Sequence, residues 1–140
     1  MGGSSDDAND AAYHFFDILV VAALPWVAQE RMTGGTRSGV AWEVRDDLRG
    51  RCAGFLHFWA GSLSSRELDS ITLYLEETSR LPEEIFSESG HGDGFGLRHP
   101  LWEDQRRRST QLLRLLEARA RDVFKKFELS TADLDALLGD

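Results

Sequence analysis

The stretch VAWEVRDDLRGRCAGFLHFWAGSL, Val40 to Leu63, decides the fold class. Its apolar positions Ala41, Val44, Leu48, Cys52, Phe55, Trp59 and Leu63 follow one another in steps of 3, 4, 4, 3, 4 and 4. That rhythm averages close to the 3.6-residue period that aligns side chains on one face of an α-helix. Val40, Trp42 and Val44 also alternate, and Asp46 to Gly50 contains turn-forming residues, so a hairpin is the competing reading. The stripe is longer than the alternation, and helix is the reading adopted. Gly50 and Gly54 each weaken a helix interior by about 1 kcal/mol relative to Ala. Their four-residue spacing is expected to let another helix approach closely on that side.

Downstream, Ser64 and Glu67 stand three apart, as in a capping box, and open a helix through Leu68, Ile71 and Leu75. Pro82 ends it, and Ile85 and Phe86 could add one turn. Residues 87–99 hold Gly90, Gly92, Gly94 and Gly96 and read as a loop. Pro100 fits the first turn of a long fourth helix that turns Leu112, Leu116, Ala120, Val123 and Phe127 inward. Glu117 with Arg121, and Asp122 with Lys126, make i,i+4 pairs in the favourable order. Ser130 or Thr131 caps a short last helix, Ala132 to Leu138, which Gly139 closes.

Upstream, residues 1–9 are rich in Gly, Ser, Asp and Asn and read as a disordered lead-in. Asn9 or Asp10 then caps a first helix, Ala11 to Ala23, which Pro25 kinks or restarts. That helix is apolar on nearly every face, so it is expected at the centre of the fold. Thr33 to Ser38 is a loop. The expectation is an all-α fold: a single compact bundle of four to five helices over residues 10–140, with a Gly-rich loop before the long fourth helix.

Composition agrees with a globular protein, at 41% apolar and 29% charged residues in 140. Cys52 is the single cysteine, which excludes an internal disulfide. With no secretory signal in view, that points to a reducing, cytoplasmic compartment. The longest apolar run, Phe15 to Ala28, is broken by Asp17 and Pro25. It falls short of the about 20 residues that span a bilayer, so no membrane association is expected. The net charge is −8 and unevenly spread: residues 1–98 carry 16 acidic and 8 basic side chains, residues 99–140 carry 8 of each. An acidic body repels nucleic acid, whose binding depends on clustered Lys and Arg.

Several residues compete for a functional role. Arg51 and His57 form Arg-x5-His, which resembles the Arg-x4–6-His motif of HEPN-type ribonucleases, small helical bundles that act as dimers. The resemblance implies a phosphate contact for Arg51 and metal-independent acid–base chemistry at His57. On a regular helix six residues turn through about 240°, so the two would share a cleft only through distortion or dimerisation. The stretch Gly50 to Phe58 also resembles the first conserved helix of Bcl-2-like proteins, in which an Arg grips an acidic residue of a bound helix. That likeness covers under ten residues, only 49 residues precede Gly50, and the Trp and Gly pair of the second motif is absent. What it leaves is Arg51 as an anchor for a partner helix.

Leu134, Leu137 and Leu138 share one face of the acidic last helix and are the second candidate partner contact. A third reading gives Arg106, Arg107, Arg114 and Arg121 one exposed basic stripe that touches nucleic acid. His91, Asp93, His99 and Glu103 lack the short, stiff spacing of zinc ligands, and no metal site is assigned. The glycines match no phosphate loop, and no cofactor is expected. His14 beside Phe15 and Phe16 reads as half buried, Cys52 as a core residue, and Trp26, Trp42, Trp59 and Trp102 as core. The function expected from these readings is a non-enzymatic protein–protein interaction module (adaptor, inhibitor or assembly subunit) that forms a homo-oligomer. The alternatives are the ribonuclease and the nucleic-acid accessory subunit.

Overall fold

The computed structural model describes residues 3–25, 27–29, 40–82 and 100–139. They form α1 (Gly3–Ala23), α2 (Val40–Trp59), α3 (Ser65–Ser79), α4 (Pro100–Leu115), α5 (Glu117–Lys126) and α6 (Ala132–Leu138). A 3-10 turn, Ala60–Ser62, follows α2, and residues 27–29 add a helical turn. The fold is all-α, with no strand among the described residues. None of their helices is long and apolar enough to cross a membrane. The Gly-rich segment 87–99, the loop 33–38, Ile85, Phe86, Trp26 and the Trp42 side chain lie outside the described residues.

The 40–59 ambiguity resolves as helix, because the stripe finds a core to face. Val44, Leu48, Cys52 and Phe55 are buried against α1 and α3. α1 is the central element and packs on α2, α4, α5 and α6. From Phe15 to Leu24 every residue but Asp17 is buried, as an all-round apolar helix requires. Phe55 stacks on Phe15 with ring centroids 4.7 Å apart, and meets Phe16 edge-on at 5.5 Å and Trp59 at 5.8 Å.

α1 begins earlier than expected, at Gly3 rather than after Asn9 or Asp10. Residues 3–9, a lead-in by composition, are therefore its first turns. Trp59 Nε1 donates to the Ala8 carbonyl at 2.8 Å, which ties this end of the helix to α2. At the other end Pro25 restarts the chain: the Gln29 N–H donates to the Pro25 carbonyl at 2.9 Å. Gln29, fully buried, then turns back, and its Nε2 donates to the Val21 and Ala22 carbonyls at 2.9 and 3.1 Å. It thereby supplies a donor to the Ala22 carbonyl at the helix end and a second one to the Val21 carbonyl, which also accepts from Leu24 N–H at 3.3 Å.

The Gly50 and Gly54 expectation is corrected. A Cβ built on either residue meets nothing within 4 Å, so no second helix among the described residues closes on that side. Both glycines point away from the Val44–Phe55 stripe. The pair Gly50→Ala and Gly54→Ala is accordingly expected to stabilise the fold by about 1 kcal/mol per site, the ordinary helix-propensity difference. Urea unfolding reads this directly, and a loss of stability would show that the open space is needed.

The single long fourth helix is also corrected. It breaks at Leu116 (φ −100, ψ 15) into α4 and α5, with neither Pro nor Gly at the break. Hydrogen bonds from Leu116 N–H to Leu112 and from Ala120 N–H to Leu116 continue on each side, both at 3.0 Å. Both halves pack against α1. Phe127, expected inside, is exposed at the end of α5, its ring 5.1 Å from that of Tyr13. Glu128 adopts φ 56 beyond it, and Leu129 N–H donates to Phe124 O at 2.8 Å, a six-to-one closure of the helix end.

The Ser64–Glu67 capping box is present: Glu67 N–H donates to Ser64 Oγ at 3.1 Å and Ser64 N–H to Glu67 Oε1 at 2.8 Å. The same carboxylate receives Arg119 of α5, Nε at 2.7 Å and a second guanidinium nitrogen at 3.0 Å. The hydrogen bond from Arg119 is the chief reason the Glu67 carboxyl titrates at about 2, well below the usual range. A lowered carboxyl pKa stabilises the fold above the unfolded value and loses that contribution as pH falls through the folded one. Because the pair is partly exposed, screening reduces the effect to about 1 kcal/mol. Wild type is expected to exceed Glu67→Gln in stability at neutral pH and to lose that margin between about pH 4.5 and 2. Urea unfolding of both proteins across this range checks it.

Candidate partner-binding groove

α3 and α4 run antiparallel, pinned by buried polar contacts. Tyr74 Oη and Ser109 Oγ share a hydrogen bond of 2.7 Å, and Gln105 Nε2 donates to Thr78 Oγ1 at 2.8 Å. Burial pushes the Tyr74 phenol above its ordinary pKa, so the floor of this seam stays neutral. Above it lies a groove. One wall comes from Arg66, Ser70, Leu73 and Glu77 of α3, and the other from Arg108, Gln111, Leu112 and Leu115 of α4. Each set follows helical spacing, so each wall is one face of its helix.

Leu73 is 54% exposed, the most exposed large apolar side chain among the described residues. It stands in the groove and not on the inner stripe, where Ile71 and Tyr74 are buried. A second depression on the same seam shares Glu77 and Arg108 with this groove and is lined further by Arg80, Leu81, Pro82, Leu101 and Asp104. Its acidic side chains already have cations: Glu77 is 3.7 Å from Arg108 Nε, and Asp104 is 3.0 Å from Arg107. Arg66 and Arg80 are exposed, and neither has a carboxylate within ion-pair distance among the described residues.

The sequence-derived candidates fall elsewhere. Arg51 leans on α1: it lies 3.6 Å from Asp17 and 3.9 Å from Asp47, and donates to the His14 carbonyl at 3.4 Å. His57 is exposed, with its ring edge-on to Phe58. The two side chains have no contact in common among those described, and Arg51 lies against Asp17 and Asp47 of its own chain. His14, expected half buried, is exposed.

Leu134 and Leu138 are buried at 0% and 5% exposure and Leu137 packs on the same core, so α6 docks on its own chain. Arg121 holds it through Asp135 at 2.8 Å. Leu134 and Leu138 are core residues, and Leu137 is half-buried beside them.

The arginine stripe does not form either. Arg106 is 5% exposed; its Nε donates to Gln29 Oε1 at 2.9 Å, and Glu103 lies 2.7 Å from another of its nitrogens. Arg107 pairs with Asp104, Arg121 pairs with Glu117 and Asp135, and Arg114 reaches the Leu138 carbonyl at 3.4 Å.

Cys52 is core, and burial pushes its thiol up to about 12. Trp102 is fully buried and Trp59 half-buried. No cluster of potential metal ligands occurs among the described residues, and His91, Asp93 and His99 lie outside them.

In the sequence this face shows only as the seven-residue spacing of Arg66, Leu73 and Arg80, off the Leu68–Ile71–Leu75 stripe. Compared with protein families, with characterised proteins and with solved structures, the chain matches none.

Proposed function

We propose that the chain is a non-enzymatic helical protein–protein interaction module, working in the cytoplasm, that receives a segment of a partner protein in the α3–α4 groove. One observation carries this reading: Leu73 stands exposed in a groove with a rigid, hydrogen-bonded floor and charged ends. Exposed apolar side chains ringed by polar groups are characteristic of protein contact surfaces. Titratable groups of the described residues do not converge there as a nucleophile with a base, so the reading is of recognition rather than chemistry. A homo-oligomer belongs to the same proposal, with a second copy supplying the segment.

Leu73→Asp tests the proposal. Because the side chain is exposed, the thermal midpoint should move little. A stoichiometric partner co-purified from the native host, or a dimer seen by light scattering, should be lost from Leu73→Asp. It should be retained by Arg107→Asp, which changes the other side of α4. A partner that remains bound to Leu73→Asp would place the interface elsewhere.

A further inference from the structure

We infer that the occupant of this groove is an acidic amphipathic helix of about four turns, with carboxylates near its two ends set against Arg66 and Arg80 and apolar side chains between them packed on Leu73. The inference rests on the α3–α4 groove being the partner surface. Its first support is spacing. Seven residues turn a helix through nearly two full turns, so Arg66, Leu73 and Arg80 share one face of α3 with a drift of only about 20° per step. Arg80 is the C-cap residue, and its φ −94 and ψ 3 keep the chain close to the helical path. At 1.5 Å per residue the two arginines stand about 21 Å apart, with Leu73 midway.

The second support is charge. In a chain of net charge −8 this groove holds a local cationic surplus. Its acids are occupied: Glu77 by Arg108 and Asp104 by Arg107. Glu67, one residue along from Arg66, is held by Arg119. The two end arginines have no carboxylate within reach among the described residues, and they leave room for one apiece from a partner.

The third support is shape. Both walls are helices, and a third helix packs its side-chain ridges along such a groove. A segment that binds by adding a strand would need a sheet edge, and no strand occurs among the described residues. A nucleic acid would bring a phosphate every few ångströms to a site whose two open cations are about 21 Å apart across an apolar centre.

The test is fluorescence anisotropy with three stapled helical peptides of about 16 residues that share one leucine stripe. They carry Glu, Gln or Lys at the two positions facing Arg66 and Arg80. The Glu peptide should bind the full chain about tenfold more tightly than the Lys peptide. The preference should reverse on the double variant Arg66→Glu, Arg80→Glu and vanish on Arg66→Gln, Arg80→Gln. Leu73→Asp should weaken all three peptides. Leucine-dependent binding with no charge preference, or with a preference for Lys, would overturn the acidic occupant and leave the groove standing. Binding indifferent to Leu73→Asp, or no binding by any peptide, would overturn both. An oligonucleotide bound in place of the peptides and lost on the Gln variant would also overturn both.

Discussion

Replacing Phe55 by alanine should lower the unfolding free energy by about 3–5 kcal/mol, the usual consequence of truncating a large buried aromatic side chain. Phe55 is 1% exposed and sits where α2 meets α1, in ring contact with Phe15, Phe16 and Trp59. Truncation would open a cavity between the two helices and loosen Trp59, whose indole N–H holds the Ala8 carbonyl. The damage should therefore reach the first turns of α1. Urea unfolding measures the loss, and hydrogen exchange at residues 3–9 shows its reach. A cost under about 1 kcal/mol would mean that α2 does not use this face as its main contact with α1.

Arg106→Ala should cost about 2–3 kcal/mol, while Arg107→Ala, one residue on, should change stability by less than about 0.5 kcal/mol. The two differ in surroundings and not in type. Arg106 is buried on Gln29 and Glu103, whereas the Arg107 side chain is 63% exposed and pairs with Asp104 at the surface. Removing Arg106 takes a charged donor from the buried Gln29 Oε1 and a partner from Glu103, and a buried hydrogen bond to a charged group is worth more than an exposed surface pair. Gln29 also caps the end of α1, so the change should propagate to Val21 and Ala22. Side-by-side unfolding of the two variants gives the contrast; equal effects would mean that the Gln29–Arg106 link adds nothing.

What could be read in advance was local in the chain. The Val44–Leu48–Cys52–Phe55 stripe, the Ser64–Glu67 box and the Gly139 stop depend on neighbours within a few residues, and each reads directly from spacing. The roles of arginines were not legible, because their partners lie far off. Arg106 looks solvated within a triplet until Gln29, 77 residues earlier, arrives beside it. Arg119 looks like one more exposed helix charge until Glu67 meets it 52 residues away. The leucines of α6 look like a free recognition face only as long as α6 is considered without α1 and α4, which cover it. The break at Leu116 has no Pro or Gly to announce it.

The groove was hidden for a related reason. Leu73 reads as one more apolar residue beside Leu75, and its exposure follows only from where α4 lies against α3. Arg66 and Arg80 are unremarkable singly. Their significance depends on which other cations have found carboxylates, and that is decided by the tertiary fold.

The most direct test of the interface is a photo-crosslinking amino acid placed at position 73 in the native host, with position 125 of α5 as the comparison. One covalent adduct is expected from position 73, with a single protein partner or a second copy of this chain, and none from position 125. An adduct from position 125, with position 73 silent while the partner stays bound, would contradict it.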